Sequence, residues 1–345
     1  MQKRRTFIYL IFSIFALAAL AFLIVNAINS REYRQTSYAM NTIISQTAYG
    51  KNAEKAMAEV NTALADIENT LSLYVSGSEI SQINENAGIS AVKVSEGTLA
   101  LIKKAVSMSK DNKDAFATTL APIALAWGIN SDAPRVLSQD ETDKLLPLVD
   151  DESIIIDEST STVFLPQKGQ GIDLGGIAKG ASCAVAKEIY ASNGVKSALL
   201  SIGGNVYACG TKPNGKAFQV GFRDPANEAM SSIASFSLTD KTIAVSGGYE
   251  RYFEADGKRY IHIFSPETGY PVESDVVSVG VISDDGAVAD FYSTTLYVKG
   301  TKAAIEYLST QGEGIMLDGD NNLYVSKSLS PSFTLLEDGY NVIFV

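Results

Sequence analysis

Histidine occurs once in this 345-residue chain, tryptophan once and cysteine twice. Two cysteines cannot staple a disulfide scaffold. Neither Cys183 nor Cys209 stands in a CxxC or Cys/His spacing, so zinc and redox-thiol chemistry are not expected, and Cys183 reads as core. Basic charge is scarce as well: 28 Lys and Arg stand against 39 Asp and Glu, a net charge of −11. With no basic stripe and no arginine-rich tail, nothing points to nucleic acid as a partner. Internal repeats, low-complexity tracts and long linkers are also missing.

Long apolar runs are absent except for one. The basic start MQKRR leads into residues 7–25, nineteen positions without a charge, which is long enough to span a bilayer. A cleaved signal carries a shorter apolar run followed by a small-residue site. Here the small residues at 16–21 lie inside the run, so an uncleaved anchor over residues 1–29 is expected, with no cysteine nearby for lipid modification. Three basic residues precede the run, and only Arg31 and Arg34 follow closely. That asymmetry predicts a cytoplasmic N-terminus, with residues 30–345 outside the cytoplasm at a cell membrane.

The remaining 310 or so residues are enough for one large core or two tightly joined lobes, read as one functional unit. Residues 30–50 read as a Ser/Thr-rich extended segment, a strand leaving the membrane. From Ala53 onward, Met57, Val60, Leu64, Ile67 and Leu71 recur every three or four residues, the stripe of an amphipathic helix facing a core. Ser78, with Ser81 and Gln82, marks a short capped helix, and a further helix is predicted over 96–109. Beyond residue 150 short strands dominate, at 153–156, 162–165, 198–202, 217–222, 232–238, 242–245 and 278–282. Turn signals such as NGK, DGK, ETG and DDG separate them. Helices at 288–298 and 302–310 close the pattern. Helices scattered among many strands indicate an α+β domain of mixed sheets and flanking helices.

Four stretches are too polar and glycine-rich for their apolar surroundings. GIDLGGIAKG, residues 171–180, places a carboxylate, a glycine pair and Lys179 at the start of an Ala-rich helix. Exposed N–H groups and the helix dipole there favour an anion, although a glycine pair before a helix is more often only a tight turn. AVADFYSTT, residues 287–295, puts Asp290 and Thr294 at i and i+4 on one helix face. A carboxylate one turn from a hydroxyl suits a hard cation such as magnesium, which takes oxygen ligands; the plain alternative is an acidic first turn with an inward threonine. AVSGGYERYF followed by RYIHIFSPETGYP holds His262 near a predicted strand end among Tyr249, Tyr252 and Tyr260. FATTLAPIALAWG holds Trp127. These aromatics, with Tyr74, could stack on a planar ring or simply pack.

All four stretches, in their order along the chain, resemble those of the ApbE-type flavin transferases, the FAD:protein FMN transferases. The resemblance covers roughly residues 40–300. It also includes MNT at Met40, LYVSGSEISQIN, LLSIGGNVYACG, FRDP at Phe222 and ADFYSTTLYVKG. It implies an FAD pocket lined by Met40 and Tyr74, with Phe116, Ala117 and Thr118 in a backbone-contact stretch. Asp173 and Lys179 would contact the nucleotide, and His262 would lie near the phosphates or the flavin. Magnesium would be held by the side chains of Asp290 and Thr294 and by the Gly176 carbonyl. Ala117, Val245 and Asn205 depart from residues frequent in the family.

The implied reaction cleaves the pyrophosphate of FAD, joins FMN through its phosphate to a Ser or Thr hydroxyl of another protein and releases AMP. A membrane or surface electron-transfer protein is the expected acceptor. Phosphoryl transfer needs charge neutralisation and alignment, which magnesium at Asp290 and Thr294, together with Lys179, would supply. The base is left open between His262 and a nearby carboxylate. A magnesium-dependent FAD pyrophosphatase and a non-catalytic flavin carrier are the competing readings.

Overall fold

Residues 2–225 and 231–345 are described by a computed structural model of the chain. The apolar run forms α1 (Gln2–Asn29), whose Phe12–Asn29 portion is long and apolar enough to cross a membrane and is not buried against the rest of the protein. The segment expected as one strand is instead a hairpin. β1 (Glu32–Ala39) and β2 (Thr42–Tyr49) turn back at Met40 and Asn41, both with positive φ, 54° and 55°. Two such residues in succession give the tight turn whose twist matches a hairpin.

Next come α2 (Ala53–Leu71), α3 (Glu79–Glu85), β3 (Val92–Lys93), α4 (Glu96–Ser109), α5 (Ala121–Trp127) and α6 (Gln139–Leu145). In α2 the expected stripe faces inward, with Met57, Val60 and Leu64 buried. β4 (Ile155–Asp157) and β5 (Thr162–Phe164) complete a small sheet with β3. The strand expected from residue 153 starts later, because residues 151–153 form a short 3-10 turn led by the Asp150 carboxylate, which accepts from Glu152 N–H.

The second half runs α7 (Ala178–Ser192), β6 (Ser197–Ile202), β7 (Asn205–Gly210), β8 (Phe218–Arg223), β9 (Ser232–Leu238), β10 (Thr242–Gly247), β11 (Tyr252–Ala255), β12 (Lys258–Ile261) and β13 (Val276–Ser283). It ends with α8 (Gly286–Lys299), α9 (Thr301–Thr310), β14 (Glu313–Asp318), β15 (Asn322–Val325), β16 (Thr334–Leu335) and β17 (Asn341–Phe344). The chain therefore does not close at α9, as the pattern suggested. β14, β15 and β17 extend the main sheet, whose order is β1-β2-β6-β7-β10-β13-β14-β15-β17.

This α+β arrangement buries the main sheet on both faces. α2 and α7 pack on one face of β2, β6 and β7, through Met57, Val60, Leu64, Cys183, Ala186 and Tyr190. α8 and α9 continue that layer over β13 and β14. The small sheet β16-β9-β8 covers the opposite face, with Phe222, Phe236 and Ile233 fully buried. The first turns of α7 and α8 cross in backbone contact. A Cβ on Gly180 would lie 2.0 Å from the Gly286 carbonyl oxygen, and one on Gly286 would lie 2.2 Å from the Gly180 oxygen. The last glycine of GIDLGGIAKG therefore serves helix packing, and it brings Asp290 over the start of α7.

Candidate active site

A cavity of about 750 Å³ opens where the β1–β2 turn, the 115–120 loop, the glycine pair before α7, the end of β10 and one face of α8 converge. Of the residues singled out in the sequence, Tyr74, Phe116, Ala117, Asp173, Gly176, Lys179, His262, Asp290 and Thr294 line it. Positions 74 and 294 are 220 residues apart, so the sheet topology and no local motif assembles this site. Met40 lies in an adjoining cavity of about 120 Å³, which shares Tyr74, Asp173, Lys179 and Arg251. Thr118 sits behind the wall: its N–H donates to Asp151 Oδ2 (2.7 Å) and its carbonyl accepts from Asp173 N–H (2.8 Å). Its backbone is thereby committed to holding the Asp173 loop in place.

At the inner corner, α7 starts without a side-chain cap of its own, since its N-cap residue is Ile177. The missing acceptor comes from α8. Asp290 Oδ2 accepts from Gly180 N–H at 2.8 Å, and Asp290 is only 4% exposed. The expected anion at this helix start is thus, in part, the protein's own carboxylate, placed where the dipole favours it. Among the described residues, none donates a hydrogen bond to the second carboxylate oxygen. One turn on, Thr294 Oγ1 lies 3.4 Å from Ser246 Oγ, which is 2.9 Å from Ser293 Oγ. Gly176 lies against Thr294: a Cβ there would meet Phe116 Cε2 at 2.8 Å and Thr294 Oγ1 at 3.7 Å. Only a residue without a side chain keeps that approach open.

The corner therefore gathers the Asp290 carboxylate with the Thr294 and Ser246 hydroxyls, and the backbone of Gly176 lies beside them. Among the described residues no group of three or more His, Cys, Asp or Glu side chains is placed to hold a metal. That excludes a thiolate or imidazole cage and fits a hard cation that keeps waters and substrate oxygens among its ligands.

Two cations, Lys179 and Arg251, also line the cavity, beside Asp173 and Glu250. Lys179 Nζ donates to the Gly175 carbonyl (3.1 Å), and Arg251 Nη2 donates to the Asn41 carbonyl (3.0 Å). Burial pushes the Asp173 carboxyl above its usual range, opposed by the Gly175 N–H it accepts and by the charges of Lys179 and Arg251. His262 follows β12, near a strand end as expected. Its Nδ1 lies 3.2 Å from the Arg251 carbonyl oxygen. A carbonyl only accepts, so Nδ1 carries the proton and Nε2 holds a free lone pair. Burial, then the Arg251 and Lys179 charges, push this imidazole down to about 3. His262 is therefore neutral at physiological pH and weakly basic while both cations lack an anion.

The aromatics divide. Tyr74 and Tyr252 line the cavity, and Asn130 Nδ2 donates to the Tyr74 hydroxyl (3.4 Å). Trp127 does not reach it. Fully buried, it packs against Phe253, Tyr260, Phe264 and Tyr270, and its Nε1–H donates to the Gly269 carbonyl (2.9 Å). Of the three departures, Ala117 and Val245 line the cavity, whereas Asn205 is fully buried at the start of β7 with both amide atoms unpaired. Residue-level reading passed over Arg251, Ser246, Gly203 and Thr42 as site residues. The signal was available, since each lies inside a stretch quoted for the resemblance.

The model of the ApbE family matches residues 40–317. The chain belongs to the ApbE family. A relative from Klebsiella pneumoniae (strain 342), named FAD:protein FMN transferase, is 31% identical over 91% of this chain and 98% of its own length. One of the same name from Treponema pallidum (strain Nichols) is 31% identical over 78% of this chain and 79% of its own. Among solved structures, the ApbE protein from Thermotoga maritima superposes with a TM-score of 0.81 at 27% identity, covering 88% of this chain and 99% of that one. The flavin transferase ApbE from Vibrio cholerae, at 24% identity, shares the fold with a TM-score of 0.77 over 88% and 99% of the two chains. The chain is thus a member of a family of transferases, and the α+β expectation for its body holds.

Proposed function

We propose that this protein transfers FMN from FAD to a Ser or Thr hydroxyl of an acceptor protein and releases AMP, in a magnesium-dependent reaction. The observation that carries this is the convergence in one cavity of the oxygen donors Gly176, Asp290 and Thr294 with Lys179 and the neutral His262. An acceptor hydroxyl attacks the phosphorus attached to the riboflavin side, the bond to the bridging oxygen breaks, and AMP departs with that oxygen. Magnesium, held by Asp290, Thr294 and the Gly176 carbonyl, would offset charge on the phosphoryl oxygens.

The chain's own groups do the rest. Lys179 pairs with the pyrophosphate, and the Gly180 N–H fixes the Asp290 carboxylate so that its second oxygen points to the reaction. His262 Nε2 is the unprotonated acceptor for the hydroxyl proton. Burial depresses its basicity most, and substrate phosphates relieve the smaller part that comes from the Arg251 and Lys179 charges. Tyr74 stacks on the flavin nucleotide at the mouth.

Residues 1–29 act as a membrane anchor in this account, and residues 30–345 as the transferase domain outside the cytoplasm. Only Ser30 and Arg31 separate α1 from β1, so the domain stays at the bilayer surface, suited to acceptors of a membrane electron-transfer chain. The test is to incubate the protein with FAD, magnesium and candidate acceptors, then read covalent flavin by gel fluorescence and AMP by chromatography. AMP released at the same rate without any acceptor would make it a pyrophosphatase. No AMP at all would make it a carrier.

A further inference from the structure

Arg251 lines the cavity beside Lys179. Glu250 beside it pairs with Arg223 (3.3 Å). Among the described residues, Arg251 and Lys179 make no ion pair at all. The guanidinium spends one N–H on the Asn41 carbonyl, and among the described residues its other four donors meet no acceptor. It sits on the same groups as Lys179: the charges of both act on Asp173 and on His262, and both residues line the main cavity and the adjoining one. Both cations thus face the cavity with donors left for an anionic ligand.

The backbone fixes where this guanidinium can go. The Arg251 carbonyl accepts from His262 N–H (3.1 Å) and faces His262 Nδ1 (3.2 Å), which ties it to the wall beyond β12. Its side chain crosses to the β1–β2 turn, where Met40 and Asn41 hold positive φ. Arg251 thus bridges the wall beyond β12 and the β1–β2 turn.

We propose that Arg251 is a substrate-contacting residue whose guanidinium binds the phosphates of the dinucleotide from the side opposite Lys179 and closes the β1–β2 turn over them. This rests on the reading of the cavity as an FAD site and adds to it the residue that recognises the pyrophosphate. An arginine fits the task better than a lysine because its planar fork meets a phosphate with two parallel hydrogen bonds.

The test compares two flavins that differ in the phosphates and the adenosine. Flavin fluorescence titrations of the full-length protein without magnesium are run with FAD and with riboflavin, for wild type, Arg251→Gln and Arg251→Lys. The expected result for Arg251→Gln is FAD affinity weakened about ten- to a hundred-fold, the loss of charge-assisted hydrogen bonds, with riboflavin affinity unchanged. Arg251→Lys is expected to fall between, keeping the charge and losing the fork. Unchanged FAD affinity in Arg251→Gln overturns the proposal. So does an equal loss for both flavins, which would make Arg251 a support for the turn alone. Wild-type protein binding FAD no tighter than riboflavin would instead remove the pyrophosphate reading of the whole cavity, and this proposal with it.

Discussion

Helices α6 and α7 begin in opposite ways. α6 carries its own cap: Ser138 Oγ accepts from Glu141 N–H, and the Glu141 carboxylate accepts from Ser138 N–H at 2.9 Å, a reciprocal capping box within four residues. α7 has Ile177 at the same position and no cap from its own neighbourhood. Its Gly180 N–H is served by Asp290, which is 110 residues away in sequence. The first helix start satisfies itself and faces solvent. The second is left incomplete by its local sequence and finished by a carboxylate that also faces the cavity, so one side chain serves the fold and the candidate chemistry together.

Breaking the second arrangement should have far larger consequences than breaking the first. Asp290→Ala is expected to abolish flavin transfer, by a hundred-fold or more, and to cost about 1–2 kcal/mol through the lost cap. Asp290→Asn separates the two roles. Its amide oxygen can still accept from Gly180 N–H, so the melting temperature should stay near wild type while transfer is lost. Transfer rates and thermal melts on the same preparations check both.

Gly180→Ala strikes the α7–α8 crossing, where the new methyl would lie 2.0 Å from the Gly286 oxygen and 2.7 Å from Asp290 Cβ. The helices must part, at about 1–3 kcal/mol, and Asp290 moves with them. Reduced melting temperature and reduced transfer are expected together, and Gly286→Ala should reproduce both.

His262→Asn comes next, lowering turnover more than FAD affinity when Nε2 takes the proton. A variant that loses affinity alone would make His262 a binding residue. The same substitution has a signature in stability. Folded His262 titrates near 3, against about 6.5 when unfolded. The unfolded chain therefore takes up a proton that the native protein refuses. The stability this residue allows is fully present above pH 6.5 and is lost as pH falls toward 3, at no more than about 1.4 kcal/mol per unit and less where cavity water screens the ring. Urea melts between pH 7 and 5 should show a shallower decline in His262→Asn than in wild type.

The smallest effect belongs to the self-sufficient helix. Ser138→Ala should cost about 1 kcal/mol and leave transfer untouched, measured on the same melts and gels.

What the sequence disclosed follows the same division between local and distant. The α2 stripe, the Ser78 cap, the helix over 96–109 and the Asp290/Thr294 spacing are periodic or short-range features, and each stands in the structure where it was read. The turn at Met40 and Asn41 was hidden because neither residue is the glycine that usually signals positive φ. β14, β15 and β17 were overlooked because their burial comes from pairing at the far end of the main sheet. Trp127 resembled a ring-stacking residue in isolation, and only the folded cluster of Phe253, Tyr260, Phe264 and Tyr270 claims it for the core. Arg251 was the costliest omission: its significance lies in meeting no carboxylate partner among the described residues, which is a property of the fold. The notable local signal was GIDLGGIAKG, whose glycines separate in three dimensions into one beside the oxygen-donor corner and one at a helix crossing.

The central claim is that the corner formed by Asp290, Thr294 and Gly176 is where the FAD pyrophosphate is broken. Its most direct test measures AMP release and covalent flavin on an acceptor across a magnesium titration, for wild type and Asp290→Asn at equal thermal stability. The account predicts equal amounts of AMP and flavinylated acceptor from wild type, rising with magnesium, and neither product from the variant. Wild-type rates from Asp290→Asn at saturating magnesium would contradict it.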